Sequence, residues 1–176
     1  PARDRTLNQD ELKRLFRACE KCSMFHNLRA IVEVIYLTMC RRGEVLDLKR
    51  TDVDYMHNVA VLRETKDNQS STGKDRKIGL SPRVVELLQQ QPESVSGLYF
   101  PIRSISAFEK AFKRAVKRAG ITDFHMHDLR HCRATDLVEI HGWNTVELMQ
   151  QGGWTSADMV KRYAKISPKF LAKKMA

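Results

Sequence analysis

No stretch of this chain is apolar for long enough to cross a bilayer. The longest candidate, from Ala30 to Cys40, is interrupted by Glu33 and falls short of the roughly 20 residues a spanning helix needs. An export signal is missing too: Arg3, Asp4 and Arg5 sit near the N-terminus with no apolar segment behind them. The expectation is a cytoplasmic chain with no membrane partner. Cysteine is sparse, and Cys19, Cys22, Cys40 and Cys132 are expected to be reduced. Cys19 and Cys22 are spaced C-x-x-C, with His26 four residues on, but no second cysteine pair follows to complete a structural zinc site. Cys19 falls in an apolar helical pattern, where a small buried residue is the ordinary explanation. No internal repeat or low-complexity tract is visible. Acidic residues are also in short supply: 21 Asp and Glu face 31 Lys and Arg, a formal net charge of +10. Such a surplus favours a polyanionic partner, nucleic acid before an anionic membrane, although solubility alone also accounts for a basic chain.

What is present suits one domain over residues 1–176, long enough to bury a core. Asn8 with Glu11 marks a helix start, and Leu12, Leu15, Phe16 and Cys19 follow at helical spacing. A second helix is expected from about Leu28 to Thr38, and a third from Arg42 to Lys49. The pattern then turns β-prone from Val59 to Thr65 and again from Lys77 to Leu80, with a polar loop between. That pair reads as a β-hairpin with a long tip. Ser81 and Pro82 start another helix. Ser106 and Glu109 read as a capping box for a helix that stops near Gly120. Its Phe108, Ala111, Phe112, Ala115 and Ala119 share one face. Lys110, Lys113, Arg114, Lys117 and Arg118 lie opposite, as a solvated face or as a phosphate-binding stripe. Helices follow from His127 to about His141, from Asn144 to Gly152, from Ser156 through Tyr163, and from Ser167 and Pro168 to the end. The fold class is mainly α with a small antiparallel β-hairpin.

Two groups of residues can do chemistry. Tyr36 and Tyr99 fall in apolar surroundings and Tyr55 in a polar turn, whereas Tyr163 is flanked by Lys161, Arg162 and Lys165. Neighbouring positive charge favours a phenolate, and an activated tyrosine is a covalent nucleophile. A surface tyrosine with basic neighbours is the plainer alternative. In His127-Asp128-Leu129-Arg130-His131, helical spacing puts His127, Arg130 and His131 on one face. Two histidines at i, i+4 suit zinc, as in H-E-x-x-H peptidases, but Asp128 stands where the longer Glu belongs and no third ligand is obvious. The same face suits a phosphate, with an arginine fork and a histidine proton relay. An ordinary polar helix remains the third reading.

Taken in order, these segments resemble the tyrosine recombinases, the phage integrase family. Thr38-Met39-Cys40-Arg41-Arg42-Gly43-Glu44 resembles the family's T-G-x-R-x-x-E box. His127 to His131 matches its H-x-L-R-H box. Gly153-Trp154 stands where most members have Gly-His, and Tyr163 follows nine residues later at the usual spacing of the nucleophile. Lys66, after Thr65 in the hairpin, matches the place of the catalytic lysine, with Lys74 near the other end of the loop as the alternative. Met39 and Cys40 replace a usual Gly-Leu pair, which reads as a packing change. The resemblance covers essentially the whole chain, and implies that the family's N-terminal core-binding domain is absent from it.

The resemblance implies phosphodiester transesterification in double-stranded DNA through a 3′-phosphotyrosine at Tyr163. Arg41 and Arg130 would stabilise the charge gathering on the non-bridging oxygens. Lys66 would protonate the leaving 5′-oxygen, and His127 would relay the phenol proton. Trp154 would donate a hydrogen bond or pack the site. Glu44 and His131 would support these groups. Lys74, Lys113, Lys117 and Arg118 are candidate DNA contacts. No metal or cofactor is implied, since the arginines supply the positive charge. The family works as four protomers on two duplexes with exchanged C-terminal tails, and the segment from Ser167 to Ala176 is the candidate tail. A type IB topoisomerase-like nicking and closing enzyme, a non-catalytic DNA-binding domain and, more remotely, a zinc hydrolase are the alternatives.

Overall fold

The computed structural model describes residues 5–63, 75–163 and 168–176. The helices are α1 (Gln9–Glu20), α2 (Leu28–Thr38), α3 (Arg42–Leu46), α4 (Pro82–Gln89), α5 (Ile105–Arg118), α6 (Asp128–Glu139), α7 (Thr145–Gly152), α8 (Ala157–Val160) and α9 (Pro168–Met175). The strands are β1 (Val53–Asp54), β2 (Val59–Leu62) and β3 (Arg76–Gly79), between α3 and α4 in sequence. The architecture is mainly α with one small antiparallel sheet.

Asn8 opens α1 through a reciprocal box: its side chain accepts from the Glu11 N–H, and the Glu11 carboxylate accepts from the Asn8 N–H. Two N–H groups that the helix leaves unpaired are thereby satisfied. The second helix, α2, is the hub, packed by α1, α4, α5 and α6, so it is buried on nearly every side. A helix surrounded in this way needs apolar residues all round, which is what its sequence has. Its polar interruption, Glu33, is buried as well and accepts from Arg83 Nε at 2.8 Å and Arg29 Nε at 3.2 Å. No helix among the described residues is long and apolar enough to cross a membrane.

The sheet runs β1-β2-β3, all antiparallel, with Val59 opposite Gly79 and Leu62 opposite Arg76. The hairpin was legible, but β1 was not, because two residues are too few to show alternation. The last two residues of the expected first strand, the tip, Lys66 and Lys74 lie outside the described residues. The base of that loop is pinned: Arg63 donates to Asp75 at 2.9 Å and to Asp52 at 3.0 Å.

Three expected boundaries are corrected. The cap of α5 is Ser104, whose hydroxyl accepts from Ala107 N–H at 3.2 Å. Ser106 is already helical, and Glu109 pairs with Arg42 instead. Capping needs an extended residue at the helix mouth, and Ser104 has that backbone, φ −139° and ψ 109°. The third helix stops at Leu46, because Leu48 and Lys49 are recruited by the segment around Leu98: the Tyr99 N–H bonds the Leu48 carbonyl at 3.2 Å. Tyr163 lies in the turn after the four-residue α8, its N–H bonded to the Val160 carbonyl at 2.9 Å.

The apolar interior falls into two clusters. The large one centres on α2. The small one joins Met39, Ala134, Leu137, Val138, Leu148, Val160 and Tyr163, with Trp143, Met149 and Trp154 packed on it. It ties α6, α7 and α8 to the C-terminal end of α2, where the chemistry-bearing residues meet.

Candidate active site

Arg130 is the centre of the arrangement. It projects from the first turn of α6, it is only 2% exposed, and its two terminal nitrogens donate to the Met39 carbonyl at 2.6 Å and the Gly152 carbonyl at 3.0 Å. Its Nε is buried and has no hydrogen-bond partner among the described residues. Burial, and then the charge of Arg41, pushes its pKa down to about 10. The guanidinium is therefore still charged at neutral pH, and it sits in a pocket with a second arginine nearby.

Met39 explains how the two arginines come together. It ends α2 in a left-handed conformation, φ 58°, which turns the chain so that Arg41 can start α3. The expected packing change is thus a backbone matter as well. A non-glycine residue there costs roughly 1–2 kcal/mol. The fully buried Met39 side chain offsets this by filling the small core. Arg41 is held by Glu44, whose carboxylate accepts from the Arg41 N–H at 2.7 Å and from its Nη1 at 3.3 Å.

Tyr163 comes from the opposite side. Its ring is 6% exposed, its hydroxyl is hydrogen-bonded to His131 Nδ1, and the two rings stack at 5.7 Å. Trp154 lies between nucleophile candidate and arginine: its ring is 5.7 Å from that of Tyr163 and 4.7 Å from the Arg130 guanidinium carbon. The indole covers a buried cation with its face, an arrangement worth about 2 kcal/mol when desolvated. A Cβ on Gly152 would stand 2.1 Å from the Trp154 ring, so that ring can close over the site only because position 152 has no side chain. His127 is at the exposed mouth, its ring 5.1 Å from His131 and edge-on to it. Beside it opens a cavity of about 480 Å³ walled by Phe112, Val116, Phe124 and Met126 and rimmed by Arg42 and Lys113.

Residues 5–169 match the phage integrase family. The chain belongs to that family. Among curated members, the shufflon-specific DNA recombinase of Escherichia coli is 35% identical over 161 residues, 92% of this chain and 40% of that protein. The integrase of Salmonella phage P22 is 30% identical over 182 aligned positions, 96% of this chain and 46% of that protein. The chain therefore spans less than half the length of these integrase-family relatives. Among solved structures, XerA recombinase superposes with a TM-score of 0.75 at 26% identity, over 99% of this chain and 65% of that one. The catalytic domain of bacteriophage HP1 integrase shares the fold, with a TM-score of 0.73 at 24% identity over 97% of this chain and 92% of that one.

Within this integrase-family site, the histidine that touches the phenol is His131, not His127. The motif spacing puts both rings on one face, and only the turn after α8 decides which of them Tyr163 meets. Sequence reading also missed Arg76, at the start of β3. Its Nη2 donates to Glu44 at 2.7 Å and its Nη1 to the Gln151 carbonyl. The available signal was an arginine at an inward strand position, but alternation over four residues is too weak to have singled it out. Arg118 is placed away from the site. Its guanidinium donates to the Ala18 carbonyl at 2.8 Å, at the last turn of α1. No group of three or more His, Cys, Asp or Glu side chains suited to a metal occurs among the described residues.

His131 sets a pH dependence. Burial, and then the charges of Arg162 and His127, lower its pKa from 6.5 to about 4. The folded chain thus refuses a proton that the unfolded chain takes up between pH 6.5 and 4, so this residue withdraws stability as pH falls through that window. Going from pH 7 to pH 5, the loss is about 1 kcal/mol once solvent screening of the half-buried ring is allowed for. Urea denaturation of His131→Gln at both pH values should show the acid destabilisation reduced by about that amount. An unchanged pH dependence would mean that His131 is protonated in the fold.

Proposed function

We propose that this chain is the strand-transferring domain of a site-specific DNA recombinase or integrase. The observation that carries the reading is the Tyr163 hydroxyl held by His131 beneath Trp154, beside the buried Arg130 whose Nε has no partner among the described residues. A buried guanidinium with unspent donors calls for an oxyanion, and a phosphodiester oxygen has the right charge and size. Tyr163 Oη attacks the phosphorus while His131, neutral at pH 7, receives the phenol proton. The bond from phosphorus to the 5′-oxygen breaks, leaving a 3′-phosphotyrosine. Arg41 and Arg130 hold the non-bridging oxygens, and Lys66 protonates the leaving 5′-oxygen. A 5′-hydroxyl from a partner strand reverses the step, so no ATP is consumed. Recombination on two duplexes takes four protomers, and α9, with Leu171 and Met175 exposed, is the segment offered to a neighbour. The setting is the DNA of the cytoplasm.

The test is covalent capture. The chain is incubated with a pool of nicked duplexes of random sequence, from which the short fragment carrying the new 5′-hydroxyl diffuses away after cleavage, in excess chelator. An SDS-resistant protein–DNA adduct is expected, with the attachment mapped to Tyr163 and the captured sequences converging on a site. Zinc bound through His127 and His131, with cleavage lost in chelator, would replace this reading by a hydrolase. Relaxation of a supercoiled circle without strand exchange would point to a nicking and closing enzyme.

The basic face of α5 divides by position. Lys113 borders the cavity beside His127, whereas Arg118 is engaged with α1. Lys113→Ala should therefore lower the slope of log affinity against log salt by about one unit. Arg118→Ala should leave the slope unchanged and lower stability by about 1–2 kcal/mol. Equal effects of the two on the slope would return both to a diffuse electrostatic role.

A further inference from the structure

We infer that Arg76 is a positioning residue that sets the spacing of Arg41 and Arg130; this rests on the proposed strand transfer. Arg76 belongs to β3 and to neither helix that carries those arginines. Its side chain is 11% exposed, and one terminal nitrogen donates to Glu44 Oε1 at 2.7 Å. The other donates to the Gln151 carbonyl, one peptide before the Gly152 carbonyl that accepts from Arg130. A single planar fork therefore joins the carboxylate that holds Arg41 to the end of α7 that holds Arg130. A lysine, with one point charge, cannot span both.

The sharing of Glu44 matters chemically. The carboxylate is 4% exposed and must be neutralised. Its Oε1 receives Arg76 at 2.7 Å and the Arg41 guanidinium only at 3.3 Å. Were Arg76 absent, Arg41 alone would have to satisfy that oxygen, and its fork would be drawn inward, away from the phosphate. On the α7 side, the helix C-terminus is the negative end of the dipole, and guanidiniums on two successive carbonyls fix its last turn. Gln151 adds a second tie between the same elements: its amide accepts from Gly79 N–H at 3.0 Å and donates to the Gly79 carbonyl at 3.0 Å. The approach is close enough to dictate sequence. A Cβ at Gly153 would lie 2.6 Å from Arg76 Nε. Arg76 Nε itself is buried with no partner among the described residues, a cost that an apolar strand residue would avoid. Stability alone does not favour an arginine here.

The experiment uses the chain and a site recovered from the duplex pool, at saturating DNA and in single turnover. Arg76→Ala should slow adduct formation by about 10²-fold, the effect of misplacing a reacting group by about 1 Å. The dissociation constant for DNA and the fraction of molecules that finally react should stay within about threefold. Arg76→Lys should recover part of the rate, and it carries the test if the alanine variant does not fold. The decisive readout is the pair with Glu44→Gln. Because Arg76 acts through that carboxylate, the double variant should be little slower than the slower single one. Multiplied defects, or an Arg76 variant as fast as the parent, would overturn the inference while leaving strand transfer intact. Failure of the parent chain to form any Tyr163 adduct would instead sink the reading on which it rests.

Discussion

Tyr163→Phe is expected to bind DNA as tightly as the parent chain and to form no SDS-resistant adduct. The substitution removes one oxygen from a ring that is 6% exposed, so the packing against Met39, Val160 and Trp154 is kept. The stability cost is that of one hydrogen bond, about 1 kcal/mol, with His131 losing its partner. The chemical cost is total, since no other tyrosine is placed to substitute. Tyr36 is buried against Asp136, and burial together with that carboxylate pushes its pKa up to about 12. Tyr99 is 1% exposed, its hydroxyl spent on Tyr55 at 2.6 Å, with burial again raising its pKa. Gel-shift titration and denaturing electrophoresis on the same samples read the two halves of the prediction. An adduct that survives in Tyr163→Phe, or that maps to Tyr55, removes the central claim.

How far the site was legible depended on the distance over which each feature is encoded. Helical periodicity, which acts within a few residues, was enough to put His127, Arg130 and His131 on one face, while Tyr163 was nominated by its basic neighbours and by the family resemblance. The helix starts at Asn8 and Asn144 were readable for the same reason, and both are capping boxes. What the sequence left open is set by contacts between distant segments. The choice of His131 over His127 depends on a turn 32 positions away, and the Arg76–Glu44 pair joins residues separated by 32. Met39 is the instructive case. A long apolar side chain in place of glycine looks like a packing matter, yet the position demands φ 58°. Backbone sign is carried by glycine when glycine is present. When it is replaced, no local signal remains, and the strain is supported by a core assembled from α6, α7 and α8.

Lys66→Ala is expected to slow cleavage of ordinary DNA by roughly 10²–10⁴-fold, the loss associated with a general acid. Lys66 lies outside the described residues, but the residues flanking positions 64–74 are tied down. Arg63 bonds Asp75 and Asp52 at one end, and Arg76 reaches into the site at the other. The flank at Arg76 is thus tied to Glu44, the carboxylate that also accepts from Arg41, which makes a lysine of this segment the one to test as the acid. Duplexes whose scissile 5′-bridging oxygen is replaced by sulfur separate the roles. A thiolate leaves without a proton, so the Lys66→Ala defect should largely vanish on that substrate. Arg130→Lys should stay slow on it, because the role proposed for Arg130 is on the non-bridging oxygens, whose charge the sulfur does not relieve. Lys74→Ala is the control: rescue of that variant and not of Lys66→Ala would move the acid to Lys74. Rescue of neither would mean that the proton comes from outside the hairpin. His127, at the exposed mouth, its pKa lowered by partial burial and by the Arg130 charge, would then be the group to examine.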